Sequence, residues 1–231
     1  MRRILSTIAI LMFLLPAQSR AGDYPVVVEL FTAQGCSACP PADAFLAELA
    51  RRDDVIPLAL HVDYWDYLGW PDSFASPAFS NRQRAYARAA GRRTIFTPQM
   101  IIQGTEDAIG SRVKDVLRLI SSKERMHAPV KLDVERQGDL LTISLQAENG
   151  VGPCVVQLVR YDPMREVVIR RGENAGLRLR YINVVTEWRP ILKWDGIGSI
   201  TVQSEIRGPQ PVVVVVQHEG YGPILAARVL R

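Results

Sequence analysis

The sequence predicts an α/β domain followed by an antiparallel β-rich domain, and three observations carry that prediction. Val26-Val27-Val28-Glu29-Leu30-Phe31 is apolar almost without a break, as a strand buried on both faces should be. A short turn then leads through Cys36-Ser37-Ala38-Cys39-Pro40-Pro41 into Ala44, Phe45, Leu46, Ala47, Leu49 and Ala50, a helix with a broad apolar face. Beyond Ala128-Pro129 the texture changes to short alternating or apolar segments punctuated by Gly and Pro, the pattern of an antiparallel β-sandwich.

The paired cysteines point to chemistry. Cys-x-x-Cys at a strand-to-helix junction, inside a βαβ pattern, is the sequence sign of a redox-active dithiol. Two intervening residues let the sulfurs meet on one helical turn, and the free N–H groups and positive end of that turn favour a thiolate at Cys36. Pro40 and Pro41 return no N–H to Cys36 and Ser37, so the first turn should be separate or kinked. Cys36, at the exposed start, is the expected attacking thiol, and Cys39, further in, the resolving one. A c-type haem attachment would need His where Pro40 stands, and a structural zinc site would need a second ligand pair, for which only Cys154 remains. Two alternatives stay open: a fixed structural disulfide, and a Cu(I)-handling or binding protein using Cys36, Cys39 and His61. Glu29, the only carboxylate in the first strand, is expected beneath Cys39 as a proton acceptor; the alternative has it bonded to backbone or turned to a loop.

The N-terminus adds a compartment. Met1-Arg2-Arg3, an apolar run from Ile4 to Leu15, Pro16 and small residues with Ser19-Arg20-Ala21 read as a secretory signal peptide over residues 1–21, with an uncleaved anchor as the alternative. Removing Arg2, Arg3 and Arg20 leaves 25 of the 28 basic residues against 24 acidic ones, so the mature chain offers no electrostatic case for nucleic acid and no membrane attachment. A periplasmic or secreted protein with three cysteines is not a disulfide-stapled scaffold.

Taken in order, residues 22–127 should hold the first domain. Val55 to Val62 reads as a second strand, parallel to the first. The aromatic and acidic loop after it, with Tyr64 and Trp65, is a candidate binding surface beside Cys36. Ser76 as cap and Pro77 at the first position start a helix ending near Gly91, with Arg82, Arg84 and Arg88 on a solvated face. A strand begins at or just after Pro98, Thr105 to Ile109 returns beside it, and Ser111 caps a helix to about Met126. In residues 128–231, strands are expected at Val130–Val134, Leu141–Leu145, Val155–Val159, Val167–Ile169, Ile200–Val202, Val212–Val216 and Ile224–Val229. Cys154 should be a buried free thiol; His127 and His218 should be ordinary surface residues.

The order β-α-β-α-β-β-α over residues 25–126 resembles a thioredoxin fold, so the predicted class is an α/β thioredoxin-like domain followed by an antiparallel β-sandwich-like domain. Val28-Glu29-Leu30-Phe31-Thr32, Cys36 through Asp43, His61-Val62-Asp63-Tyr64-Trp65-Asp66, Arg82-Gln83-Arg84-Ala85-Tyr86, Thr97-Pro98-Gln99-Met100 and Gly172-Glu173-Asn174-Ala175-Gly176 are similar to the secreted Gram-negative family catalogued as domain of unknown function 1223. The resemblance implies a thioredoxin-like fold and export; the cysteine pair itself points to a thiol–disulfide oxidoreductase without cofactor or resident metal, acting on protein or small-molecule thiols and disulfides. The resemblance implies a cis Thr97–Pro98 peptide, with Thr97 and Pro98 presenting backbone to substrate. It also implies an acid near Glu29, although thioredoxins place theirs six residues before the first cysteine and here the spacing is seven.

Overall fold

The computed structural model describes residues 25–123, 128–147 and 149–231. The leader, Met126 and His127 lie outside them. Strand β1 (Val26–Thr32), helix α1 (Pro40–Leu49) and strand β2 (Val55–His61) form a parallel βαβ unit with all fourteen strand residues buried. Helix α2 (Pro77–Ala89) follows, capped as its sequence dictates: the Ser76 hydroxyl accepts from Ala78 N and Pro77 opens the first turn. Strand β3 (Gln99–Ile102) runs antiparallel to β1, β4 (Glu106–Ile109) returns beside it, and α3 (Val113–Lys123) closes this half.

The C-terminal half contributes β5 (Val130–Gln137), β6 (Leu140–Ala147), β7 (Cys154–Val168), β8 (Arg178–Trp194), β9 (Gly198–Glu205), β10 (Val212–His218) and β11 (Ile224–Leu230). The protein is mixed α/β: one large, mostly antiparallel eight-stranded sheet of order β11-β10-β7-β8-β2-β1-β3-β4, and a small sheet of order β5-β6-β9. The large sheet takes strands from both sides of residue 128. Its seam is β8, whose Val184 pairs in parallel with Ala59 of β2. The two short segments expected at 155–159 and 167–169 are one strand, β7. Sequence reading did not anticipate β8, because Arg178, Arg180, Glu187, Arg189, Pro190 and Lys193 interrupt its apolar residues.

Three apolar clusters hold these layers together. Val28, Leu30 and Ala59 face Phe45 and Leu46 of α1 and Ile120 of α3. The opposite face carries Phe31, Leu58 and Leu60 against Phe79 and Tyr86 of α2. Leu132, Leu141, Ile143 and Leu145 of the small sheet pack on Val156, Leu158, Val212 and Val214 of the large one. Val212 to Val216 can be apolar throughout because β10 lies between β11 and β7 with both faces covered. Among the described residues, no helix is long and apolar enough to cross a membrane. Leu141→Ala, which hollows the contact between the sheets, should lower the unfolding free energy by about 2–5 kcal/mol in urea denaturation without changing its slope.

Candidate functional site

Cys36 and Cys39 are joined by a disulfide with their Cα atoms 5.4 Å apart, at the carboxyl end of β1 and just before α1. They do not share a helical turn. Cys36 N donates to Ala33 O and Cys39 N to Cys36 O, so the pair occupies the turns leading into the helix and Cys39 stands at its N-cap. Pro40 and Pro41 then fill the first positions, where a missing N–H leaves no intrahelical bond unmade.

The difference in exposure expected between the cysteines is absent: Cys36 is 2% and Cys39 0% exposed, and only Ser37 and Ala38 reach solvent. The cover comes from far along the chain. Asn174 Nδ2 donates to Gln34 O and to Cys36 O, both at 2.9 Å, and a Glu173 carboxylate oxygen accepts from Ser37 N at 3.4 Å. Gly172 (φ +79°) and Gly176 (φ +87°) permit the tight loop that delivers these side chains between β7 and β8.

The aromatic loop supplies the second wall. Gly35 packs against Trp65, whose indole donates to Thr97 Oγ1 at 2.7 Å. Tyr64 donates to Gln83 Oε1 at 3.1 Å, and burial pushes its phenol up to about 12. The Thr97–Pro98 peptide is cis. Pro98 approaches the start of α1, since a side-chain Cβ at Gly110 would stand 3.3 Å from Pro98 Cβ and 3.0 Å from Ala42 Cβ. The structure thus gathers Cys36, Cys39, Trp65, Thr97 and Pro98 around one end of β1.

Glu29 is elsewhere. It lies on the opposite side of β1 from α1, where Arg82 Nε donates to Oε2 at 2.6 Å and Arg82 Nη2 to Oε1 at 2.9 Å; the Tyr86 hydroxyl also donates to Oε1, at 2.6 Å. With both oxygens bonded, the residue expected to accept the Cys39 proton is instead the partner of a buried ion pair. Arg82 is correspondingly buried, stacked 3.7 Å over the Trp188 ring, rather than on a solvated face. Only Arg84 and Arg88 of that run are exposed.

A second buried acid, Asp43, stands in the first turn of α1. Its N–H donates to Cys39 O at 3.1 Å, and its side chain is buried toward Thr32, His61 and Asp72. Burial pushes its carboxyl from 3.8 up to about 7, against the opposing influence of His61 and Thr32. His61 Nδ1 and Asp72 Oδ2 are 2.7 Å apart, fully buried, and Asp72 Oδ2 also accepts from Gln34 N. Sequence reading missed Asp43 because an acid in a first helical turn already has a reason to be there; its position four residues after Cys39 was the available signal.

Thiolates could hold Cu(I), but His61 turns to Asp72, and no three His, Cys, Asp or Glu side chains group as a metal site among the described residues. Cys154 is a buried free thiol, pushed up to about 11 chiefly by burial, and donates to Gly152 O. His218 is partly exposed, its Nδ1 3.4 Å from Pro153 O.

The model of the family described as "protein of unknown function (DUF1223)" matches residues 27–217. The chain belongs to the DUF1223 family. It is also similar to the crystal structure of an Agrobacterium tumefaciens protein, at 31% identity and TM-score 0.76, over 89% of this chain and 93% of that one. A likeness to HBP35 of Porphyromonas gingivalis, at 15% identity and TM-score 0.59 over 90% and 75% of the two chains, is one of fold. No curated protein matches the sequence. Neither the family description nor these structures assign a reaction.

Two outcomes test the electrostatics. Arg82→Met leaves Glu29 buried without its counter-charge and should cost about 3–5 kcal/mol in equilibrium unfolding. Asp43 retains in the folded state a proton that the unfolded chain releases near 3.8, so its effect is to lower stability as pH rises from about 4 to about 7 and to leave it level above. Asp43→Asn should remove that slope from urea midpoints measured across the interval.

Proposed function

We propose that this DUF1223 member is an exported thiol–disulfide oxidoreductase of thioredoxin-like architecture, active in the periplasm or outside the cell. Its substrates are thiols and disulfides of proteins or small molecules, and it uses no cofactor. The observation that carries the reading is the disulfide closed between Cys36 and Cys39 at the carboxyl end of β1, where loops of open α/β sheets bind ligands. Support comes from the strand order β2-β1-β3-β4 with β3 reversed, from α1 and α3 on one face and α2 on the other, and from Trp65 and Thr97 beside the pair. This is the arrangement the thioredoxin resemblance leads one to expect.

In the reducing direction, the Cys36 thiolate attacks a substrate disulfide, forming a mixed disulfide and releasing one substrate thiolate. The Cys39 thiolate then attacks Cys36 sulfur, closing the pair and releasing the second. Two electrons pass from the pair to the substrate, and each released thiolate takes up a proton. The reverse sequence oxidises a dithiol. Cys36 is assigned the attack because it adjoins the exposed Ser37–Ala38 crest, whereas Cys39 is tied into α1.

The reading is tested by trapping. Cys39→Ser should accumulate mixed disulfides through Cys36 in the periplasm, and Cys36→Ser should capture few or none. The wild-type disulfide should open to a reductant of about −270 mV. A disulfide that stays closed there, with neither variant capturing a partner, would replace the enzyme with a structural cross-link.

A further inference from the structure

The turn that carries the disulfide is short of hydrogen-bond donors. A reduced cysteine pair at a helix start is favoured by whatever stabilises the thiolate of its first cysteine, and free backbone N–H groups normally do so. The donors that the sequence leads one to expect there are missing or engaged. Pro40 and Pro41 have no N–H, Cys39 N donates to Cys36 O at 3.2 Å, and Ala42 N and Asp43 N both donate to Cys39 O. The Ser37 N–H goes to the Glu173 carboxylate at 3.4 Å. From Ser37 to Asp43, only the Ala38 N–H has no partner among the described residues.

The charges bonded to this stretch have one sign. Asp72 Oδ2 accepts from Gln34 N at 2.8 Å and Glu173 Oε2 from Ser37 N, and no Lys, Arg or His side chain bonds to residues 34–39 among the described residues. Asp72 is faced by His61, 2.7 Å away. Asp43, whose carboxyl oxygens have no hydrogen-bond partner, turns to Thr32, His61 and Asp72. Glu173 is exposed, and no cation pairs with it among the described residues. Asn174 holds its loop in place through the bonds to Gln34 O and Cys36 O. Covalent geometry keeps Ser37 N within about 4.5 Å of the Cys36 sulfur, so the Glu173 carboxylate stands within about 8 Å of it. That is inside the screening length of about 10 Å at 0.1 M salt.

We propose that the Cys36–Cys39 pair is a reductant, delivering electrons to substrate disulfides, and that Glu173 sets this direction by holding its charge against the Ser37 N–H. This deepens the oxidoreductase reading and rests on it. The closed disulfide carries no charge, whereas the open pair carries a thiolate at Cys36. A carboxylate nearby and a turn without free donors therefore raise the free energy of the open form alone. Strong oxidants of this chemistry do the opposite and stabilise their reduced form. In each turnover two electrons pass from the dithiol to the substrate. The substrate S–S bond breaks, the Cys36–Cys39 bond forms, and the two thiol protons end on the released substrate thiols. The pair must then be reopened by a dithiol donor, which leaves as its own disulfide.

The test equilibrates the full chain with reduced and oxidised glutathione, and follows Cys36 ionisation through the pH dependence of its alkylation. The wild-type potential should lie below that of the glutathione couple, so that the dithiol reduces oxidised glutathione. Glu173→Gln keeps an acceptor for Ser37 N and removes only the charge. It should move the equilibrium toward the dithiol by about threefold or more and lower the Cys36 pKa. Glu173→Ala, which also frees the N–H, should move both at least as far. Added salt should narrow the gap between wild type and Glu173→Gln. Urea midpoints of both variants should stay at the wild-type value, because the side chain is exposed. A wild-type pair that oxidises reduced glutathione would overturn the proposal and leave the oxidoreductase reading standing. So would an equilibrium and a Cys36 pKa in Glu173→Gln equal to those of wild type. A pair that never exchanges with glutathione would remove both.

Discussion

The buried ion pair between Glu29 and Arg82 dictates what each surrounding strand must carry. An arginine taken out of water must have its donors filled and its charge matched, because the desolvation of either partner alone exceeds what packing returns. Glu29 supplies two bonds from β1. The other guanidinium donors reach Gln157 Oε1 on β7 and Gln217 Oε1 on β10, both at 3.3 Å, and the Tyr86 hydroxyl on α2 at 2.8 Å. Trp188 of β8 stacks on the guanidinium and donates its indole N–H to Gln157. Gln157 and Gln217 bond one another at 2.9 Å, which closes the network. One charge from the first half of the chain thereby fixes polar residues on three strands of the second.

That network sits on one face of the sheet, and the Asp43 cluster sits on the other. The division follows from the period of two in β1: Glu29 and Phe31 point toward α2, Leu30 and Thr32 toward α1. One carboxylate is therefore fully bonded and the other has open oxygens, although both are buried within a short stretch of chain. Environment alone sets the two carboxyls apart.

Much of this architecture was legible in residues. The buried β1, the cysteine pair at its end, the Ser76-Pro77 start of α2 and the alternating strands of the small sheet follow from periodicity and capping, which are local. What was not legible depends on long-range partners. Arg82 shares a helical face with Phe79 and Tyr86, but a charge on that face reads as an error until Glu29 is known to lie opposite. The half-exposed β8, broken by arginines and Pro190, has no strand period; its pairing with β7 and β2 makes it a strand. The glycines of Gly172-Glu173-Asn174-Ala175-Gly176 mark a turn, yet nothing local says that the turn returns to the cysteines.

That return has a consequence for biogenesis. Asn174 stands 138 residues after Cys36, so a chain emerging from its N-terminus presents both thiols long before their cover exists. The nascent protein therefore carries its cysteine pair for most of its synthesis without the Asn174 bonds that hold it in the finished fold.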